Sequence, residues 1–286
     1  MTRVSDWATN PHPDELVRLI HPGLTAYYSP YVSQNLSPLL QKQLQLFGCA
    51  CARSVWQLLT TEARSAIHTR ERFLYHQATE ADLRAAALNL PAIETTAHQH
   101  AHASAARAAG YYHRGSTRDI LPHCYPLEAA RSAAKALACQ NVGPAPAHHH
   151  PSYATWHQAW SHAFAAARAI QAHWLRDIIF PPGEAPYDIE PGWLTEIVRK
   201  LTEHADNTGD YSVLPILADA LHEAGCDNDT LLRHCREHPH HVRGCWVVEQ
   251  LLGRYASAPP NRLSLPPHDG GFDFVPSPHD DGTRRA

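Results

Sequence analysis

LPILADALHEAGCDNDTLLRHCREHPHHVRGCWVVEQLL, residues Leu214 to Leu252, is the stretch that decides the fold. It reads as three helices with their stops written in. Leu214 to Ala224 forms the first. Gly225 follows where a left-handed cap is wanted, because glycine alone pays no Cβ penalty there. Asp227 is the expected cap of a second helix, Asn228 to Arg236, since its side chain can accept from exposed backbone N–H groups. Pro239 then stops that helix. Val242 to Tyr255 is the expected third.

The same punctuation runs outward along the chain. From Pro38 to Leu59, the residues Leu40, Leu44, Phe47, Cys51, Val55 and Leu58 fall three or four apart, which is one face of an amphipathic helix. Glu62 to Gln77 reads as the next helix. Thr79, with Asp82 three residues on, reads as a helix start. Leu127 to Gln140 is a further short helix, and Pro191 to His204 another with proline in its first turn. Trp156, Trp160, Ala163, Ala167, Ile170 and Trp174 form a stripe at helical spacing, read as core rather than as cofactor contacts. No strand pattern competes. The expected fold is therefore all-α: an irregular multi-helix bundle of roughly eight to ten helices, with a disordered tail. The expected organisation is a flexible N-terminus (1–12), an N-terminal helical region (13–142), a Pro- and His-rich linker (143–152), a C-terminal helical region (153–255) and a Pro-, Gly- and Asp-rich disordered tail (256–286).

Composition narrows the function. In 286 residues, 44% are hydrophobic and 18% charged, which suits a folded chain with a substantial core. A formal net charge of -4 gives no bulk electrostatic case for nucleic acid. Local arginines such as Arg64, Arg70 and Arg72 would have to supply any such binding. No stretch approaches the roughly 18 apolar residues of a membrane span, and MTRVSDWATNPHPDEL has no apolar core of a secretory signal. Seven cysteines, with no CxxC spacing, point to reduced thiols and a cytoplasmic location.

Three segments carry a resemblance. LQLFGCACARSVWQLLTTEARSAI (Leu44 to Ile67), LRDIIFPPGEAPYDIEPGWLT (Leu175 to Thr195) and LPILADALHEAGCDNDTLLRHCREHPHHVRGCWVVEQLLG (Leu214 to Gly253) resemble the opening, middle and closing blocks of an uncharacterised helical protein family of planctomycete-type bacteria. The resemblance implies a helical protein. It supplies no reaction and no catalytic residues.

Histidine is the compositional outlier, at 23 residues. The closing block offers Cys226, His234, Cys235, His238, His240, His241 and Cys245. Zinc takes four nitrogen, sulfur or carboxylate ligands in a tetrahedron, usually from local pairs. Cys235 and His238 can share a helical turn, and Cys226 and Cys245 can approach from either side. The candidate zinc-type set is thus Cys226, Cys235, His238, His241 and Cys245. Packed core thiols are the competing reading, because free cysteine is among the most buried residue types. Glu94, His98 and His102, each four apart, share a helix face and make a second metal candidate. His234 to His238 also matches HxxEH, in which two histidines hold a metal and Glu237 activates water. Pro239 spoils its context. No nucleophile elbow, phosphate loop or dinucleotide fingerprint is present.

The leading expectation is a non-catalytic helical interaction or scaffold protein with an unknown protein partner and no cofactor. Arg243, Trp246 and Trp193 are its expected interaction surface. A zinc-type metal-binding protein is the alternative, and a metal-dependent hydrolase through HxxEH a further one.

Overall fold

The computed structural model describes residues 2–20, 36–89, 125–147, 149–180 and 187–255. Among them are eleven α-helices and no strand. We number these α1 (Thr2–Thr9), α2 (Pro13–Ile20), α3 (Pro38–Arg53), α4 (Thr61–Leu74), α5 (Glu80–Leu88), α6 (Tyr125–Val142), α7 (Tyr153–Ile178), α8 (Glu196–Thr208), α9 (Leu214–Glu223), α10 (Asp229–Glu237) and α11 (Trp246–Leu251). The tail after 255 and the Glu94/His98/His102 candidate lie outside the described residues.

The caps explain where these helices begin. Ser37 accepts from Leu40 N ahead of Pro38, Thr60 from Ala63 N, and Thr195 from Val198 N. Thr79 and Asp82 form a reciprocal capping box. The α10 cap falls one residue later than expected: the Asn228 side chain, not that of Asp227, accepts from Leu231 N. Gly225 ends α9 as expected, at φ +88°. Cys226 N then donates to Leu221 O and Gly225 N to His222 O, the double bond of a Schellman turn.

The buried side chains form two clusters. The first gathers Trp7, Leu16, Val17, Leu44, Phe47, Ile67, Leu127, Leu175 and Ile178 from α1 to α4, α6 and α7. Small residues let its helices close up. Cys49, Cys51 and Ala52 of α3 and Ala129, Ala130, Ala133 and Ala134 of α6 are all buried. Helices α6 and α7 pack along each other. The residues read as a flexible N-terminus include helix α1. Its Trp7 is buried, and Arg176 of α7 donates to the carbonyls of Trp7 and Asn10.

The second cluster is built by Phe180, Trp193, Val198, Leu214, Leu217, Leu221, Leu231, Val247 and Tyr255. Trp246 and Trp193 were expected on an interaction surface. They are instead 2% and 6% exposed, and Phe180 packs edge-on against Trp246 at 4.7 Å. Large aromatic rings this well covered contribute core area, not a docking face. The first two tryptophans of the stripe on α7 depart from the core reading too. Trp156, Trp160 and Phe164 are only partly buried and stack on one another, Trp160 on Phe164 at 5.2 Å.

The chain passes from the first cluster to the second at Ile178, Ile179 and Phe180. Polar contacts cross the same seam. Gln43 donates to Ile178 O at 2.9 Å and to Tyr255 Oη at 3.0 Å. Lys42 of α3 reaches Glu249 of α11 at 2.6 Å. The third expected helix is shorter than its sequence suggested, since it starts only at Trp246. Gly244 explains the delay. It sits at φ +95°, and a Cβ there would lie 2.8 Å from Leu46 Cδ1 of α3. The backbone needs glycine both for its left-handed turn and for its approach to α3.

Candidate metal centre

Four side chains converge at this seam. Asp177 comes from the last turn of α7, and His234 from the last turn of α10. His241 lies in the connection that follows, and Cys245 is the residue just before α11. One ligand atom from each lies within 4.8 Å of all the others. Asp177 Oδ1 is 3.0 Å from His234 Nε2 and 2.7 Å from His241 Nδ1. Cys245 Sγ is 3.4 Å from His234 Nε2 and 3.8 Å from His241 Nδ1. Asp177 Oδ2 accepts from Val242 N at 2.7 Å, which pins the connecting loop to α7.

The site is closed off from water. The Asp177 side chain is fully buried, and those of His234 and His241 are 9% and 8% exposed. Cys245 is buried as well. Burial would raise the Asp177 carboxyl, but hydrogen bonds from His234 and His241 outweigh it and hold the group well below the usual carboxylate range. Burial lowers the pKa of His234, against the pull of Asp177. Burial, helped by the Asp177 charge, pushes the Cys245 thiol well up. No lysine or arginine pairs with Asp177 among the described residues.

This donor set is chemically apt for a metal ion. Zinc bonds of about 2.0–2.3 Å in a tetrahedron put neighbouring ligand atoms roughly 3.3–3.7 Å apart. The nitrogen–sulfur pairs here already match that spacing, and the oxygen–nitrogen pairs are slightly closer. Two imidazoles, one thiol and one carboxylate suit zinc-like ions rather than magnesium or calcium, which favour oxygen. One carboxylate and one thiolate would balance a divalent charge.

A further contact bears on how the site works. Trp246 Nε1 donates to His234 Nδ1 at 3.2 Å. Indole can only donate, so its partner nitrogen carries no proton, and in the neutral ring the proton sits on Nε2, facing Asp177.

The expected ligand set is redistributed. His241 and Cys245 enter the cluster. Cys226 and Cys235 are buried thiols outside it, and burial raises Cys235 to about 12. His238 stands beside the cluster, with Nδ1 4.0 Å from Asp177 Oδ1. The HxxEH geometry is not assembled: Glu237 is exposed, and the acid at the site is Asp177. Sequence reasoning missed Asp177 as a ligand. Its one signal was an acid set between Leu175 and Ile178 near the end of an apolar helix. Arg243 lies beside the cluster rather than on an open face. It is 3.7 Å from Glu71, donates to Asp206 O, and lies over the Tyr75 ring.

No family model, no curated protein and no solved structure matches the chain. No helix among the described residues is long and apolar enough to cross a membrane.

Proposed function

We propose that this is a non-catalytic, zinc-type metal-binding protein. In this reading Asp177, His234, His241 and Cys245 hold one ion that clasps the C-terminal helices onto the first core. The observation that carries the reading is the convergence of four donor atoms around a buried carboxylate that no fixed cation neutralises. Buried charges are ordinarily paired or bound to metal. Four protein donors leave no open position for substrate, which favours a structural over a catalytic ion. Such a clasp is compatible with an interaction or scaffold role for the helical body it stabilises.

Elemental analysis of untagged protein after dialysis against chelator tests this. About one zinc per chain is expected; less than about 0.2 would overturn a tight site.

A metal-free clasp is the second reading, and Trp246 favours it. With the indole donating to Nδ1, His234 directs its Nε2 proton at Asp177, so both nitrogens of that ring are satisfied without an ion. Metal binding through Nε2 instead requires that proton to move to Nδ1 and the Trp246 contact to lengthen. Replacing Trp246 by Phe separates the two readings. It should tighten metal binding if the clasp holds an ion, and only destabilise the fold if it does not.

A further inference from the structure

A closed four-donor centre needs a way in. His238 is the residue the cluster leaves over. It caps the C-terminus of α10, and Pro239 turns the chain away behind it. Both of its ring nitrogens are buried and make no hydrogen bond. Leaving a buried polar group without a hydrogen-bond partner is unfavourable, so the ring asks for a use. The ring lies 4.8 Å from that of His234 and 5.0 Å from that of His241, centroid to centroid. On its other side it meets His173, at 6.0 Å. His173 stands one turn before Asp177 on α7, is only partly buried, and meets the exposed ring of His240 at 5.8 Å. The imidazoles thus run from an exposed residue, through a half-covered one, to a buried one against the centre.

We propose that His240, His173 and His238 form the exchange path by which a zinc-type ion enters and leaves the Asp177 centre, His238 being the transfer ligand that touches the ion only in transit. This rests on the metal-binding reading above. The geometry favours transit over permanent ligation. His238 Nδ1 is farther from Asp177 Oδ1 than either ligand histidine, and His238 does not belong to the group whose donor atoms mutually converge. Imidazole suits the task because its neutral nitrogen lone pair binds zinc-like ions with no fixed charge to bury.

The test follows zinc transfer from the loaded full-length protein to a chromophoric chelator by stopped flow, and the reverse loading reaction. His238→Leu should slow both directions tenfold or more while changing the equilibrium affinity less than threefold. His240→Ala, at the exposed end, should slow them by a smaller factor and guards against a folding defect in the buried variant. Unchanged rates in both variants, with zinc bound, overturn the path alone. An affinity that falls with the His238→Leu substitution overturns it too, because His238 is then a ligand. Wild-type protein that takes up no zinc removes the metal-binding reading itself and is told apart by stoichiometry before any rate is measured.

Discussion

Three of the buried acids in this part of the molecule are partnered in two opposite ways. Glu71 receives a bidentate fork from Arg53, at 2.5 and 2.6 Å, with Arg243 at 3.7 Å. Glu249 meets Lys42 at 2.6 Å and the Tyr75 hydroxyl at 2.9 Å. Both carboxylates bring their own permanent cations. Asp177 is as deeply buried yet meets imidazole, backbone N–H and thiol groups and no lysine or arginine among the described residues. The first arrangement is complete in itself. The second has oriented donors but no cation, and a thiol stands beside it. That difference, more than the number of histidines, is what supports the proposed metal site.

Substitutions at these acids separate the two arrangements. The largest effect is expected at Asp177. Asp177→Ala removes the acceptor of three hydrogen bonds and should cost about 3–5 kcal/mol by denaturant unfolding, with loss of bound metal. Glu249→Gln should cost less, about 1.5–3 kcal/mol, since it leaves Lys42 without its charged partner. Its metal content should equal that of wild type, because this acid already has its cation. If Glu249→Gln also empties the site, the two regions are not independent.

Gly244→Ala tests the scaffold between them. The added Cβ meets Leu46 in a left-handed backbone conformation, at a cost of roughly 1–3 kcal/mol. Because Cys245 is the next residue, metal should be held more weakly as well. A thermal melt paired with metal titration reads both effects.

The smallest expected effect is on pH dependence in chelator-treated protein. Burial lowers His238 from 6.5 to about 3, and lowers His234 as well. The unfolded chain therefore takes up protons below 6.5 that the folded chain refuses. Stability is full above that pH and falls as pH drops toward 3, by at most about 1.4 kcal/mol per pH unit for each group. Urea midpoints that rise on acidification from pH 7 to 5 would reverse the sign.

Much of the fold was legible in the sequence because its signals are local. The capping box at Thr79 and the stop at Gly225 appear as read, whereas the helix expected from Pro38 to Leu59 ends at Arg53 and gives way to a short 3-10 turn at Trp56–Leu58. What escaped depends on distant partners. Helix α1 holds because Trp7 and Asn10 meet Arg176, some 166 to 169 residues away. Helix α11 starts late because Gly244 must approach Leu46, a contact with no local trace. Trp193 and Trp246 looked like a surface because aromatic residues beside turns carry no mark of which side is covered. The centre was half legible. His241 and Cys245 were singled out by local density, while Asp177 lies 57 residues or more from its histidine partners. Cys226 and Cys235 shared that density but face the second core instead.

The most direct measurement is X-ray absorption at the metal edge of zinc-loaded protein, in wild type and in Cys245→Ser. The expected nearest shell holds one sulfur at about 2.3 Å and three nitrogen or oxygen atoms at about 2.0–2.2 Å, with the sulfur lost in the variant. A shell without sulfur in wild type, or a protein that retains no zinc to measure, would contradict it.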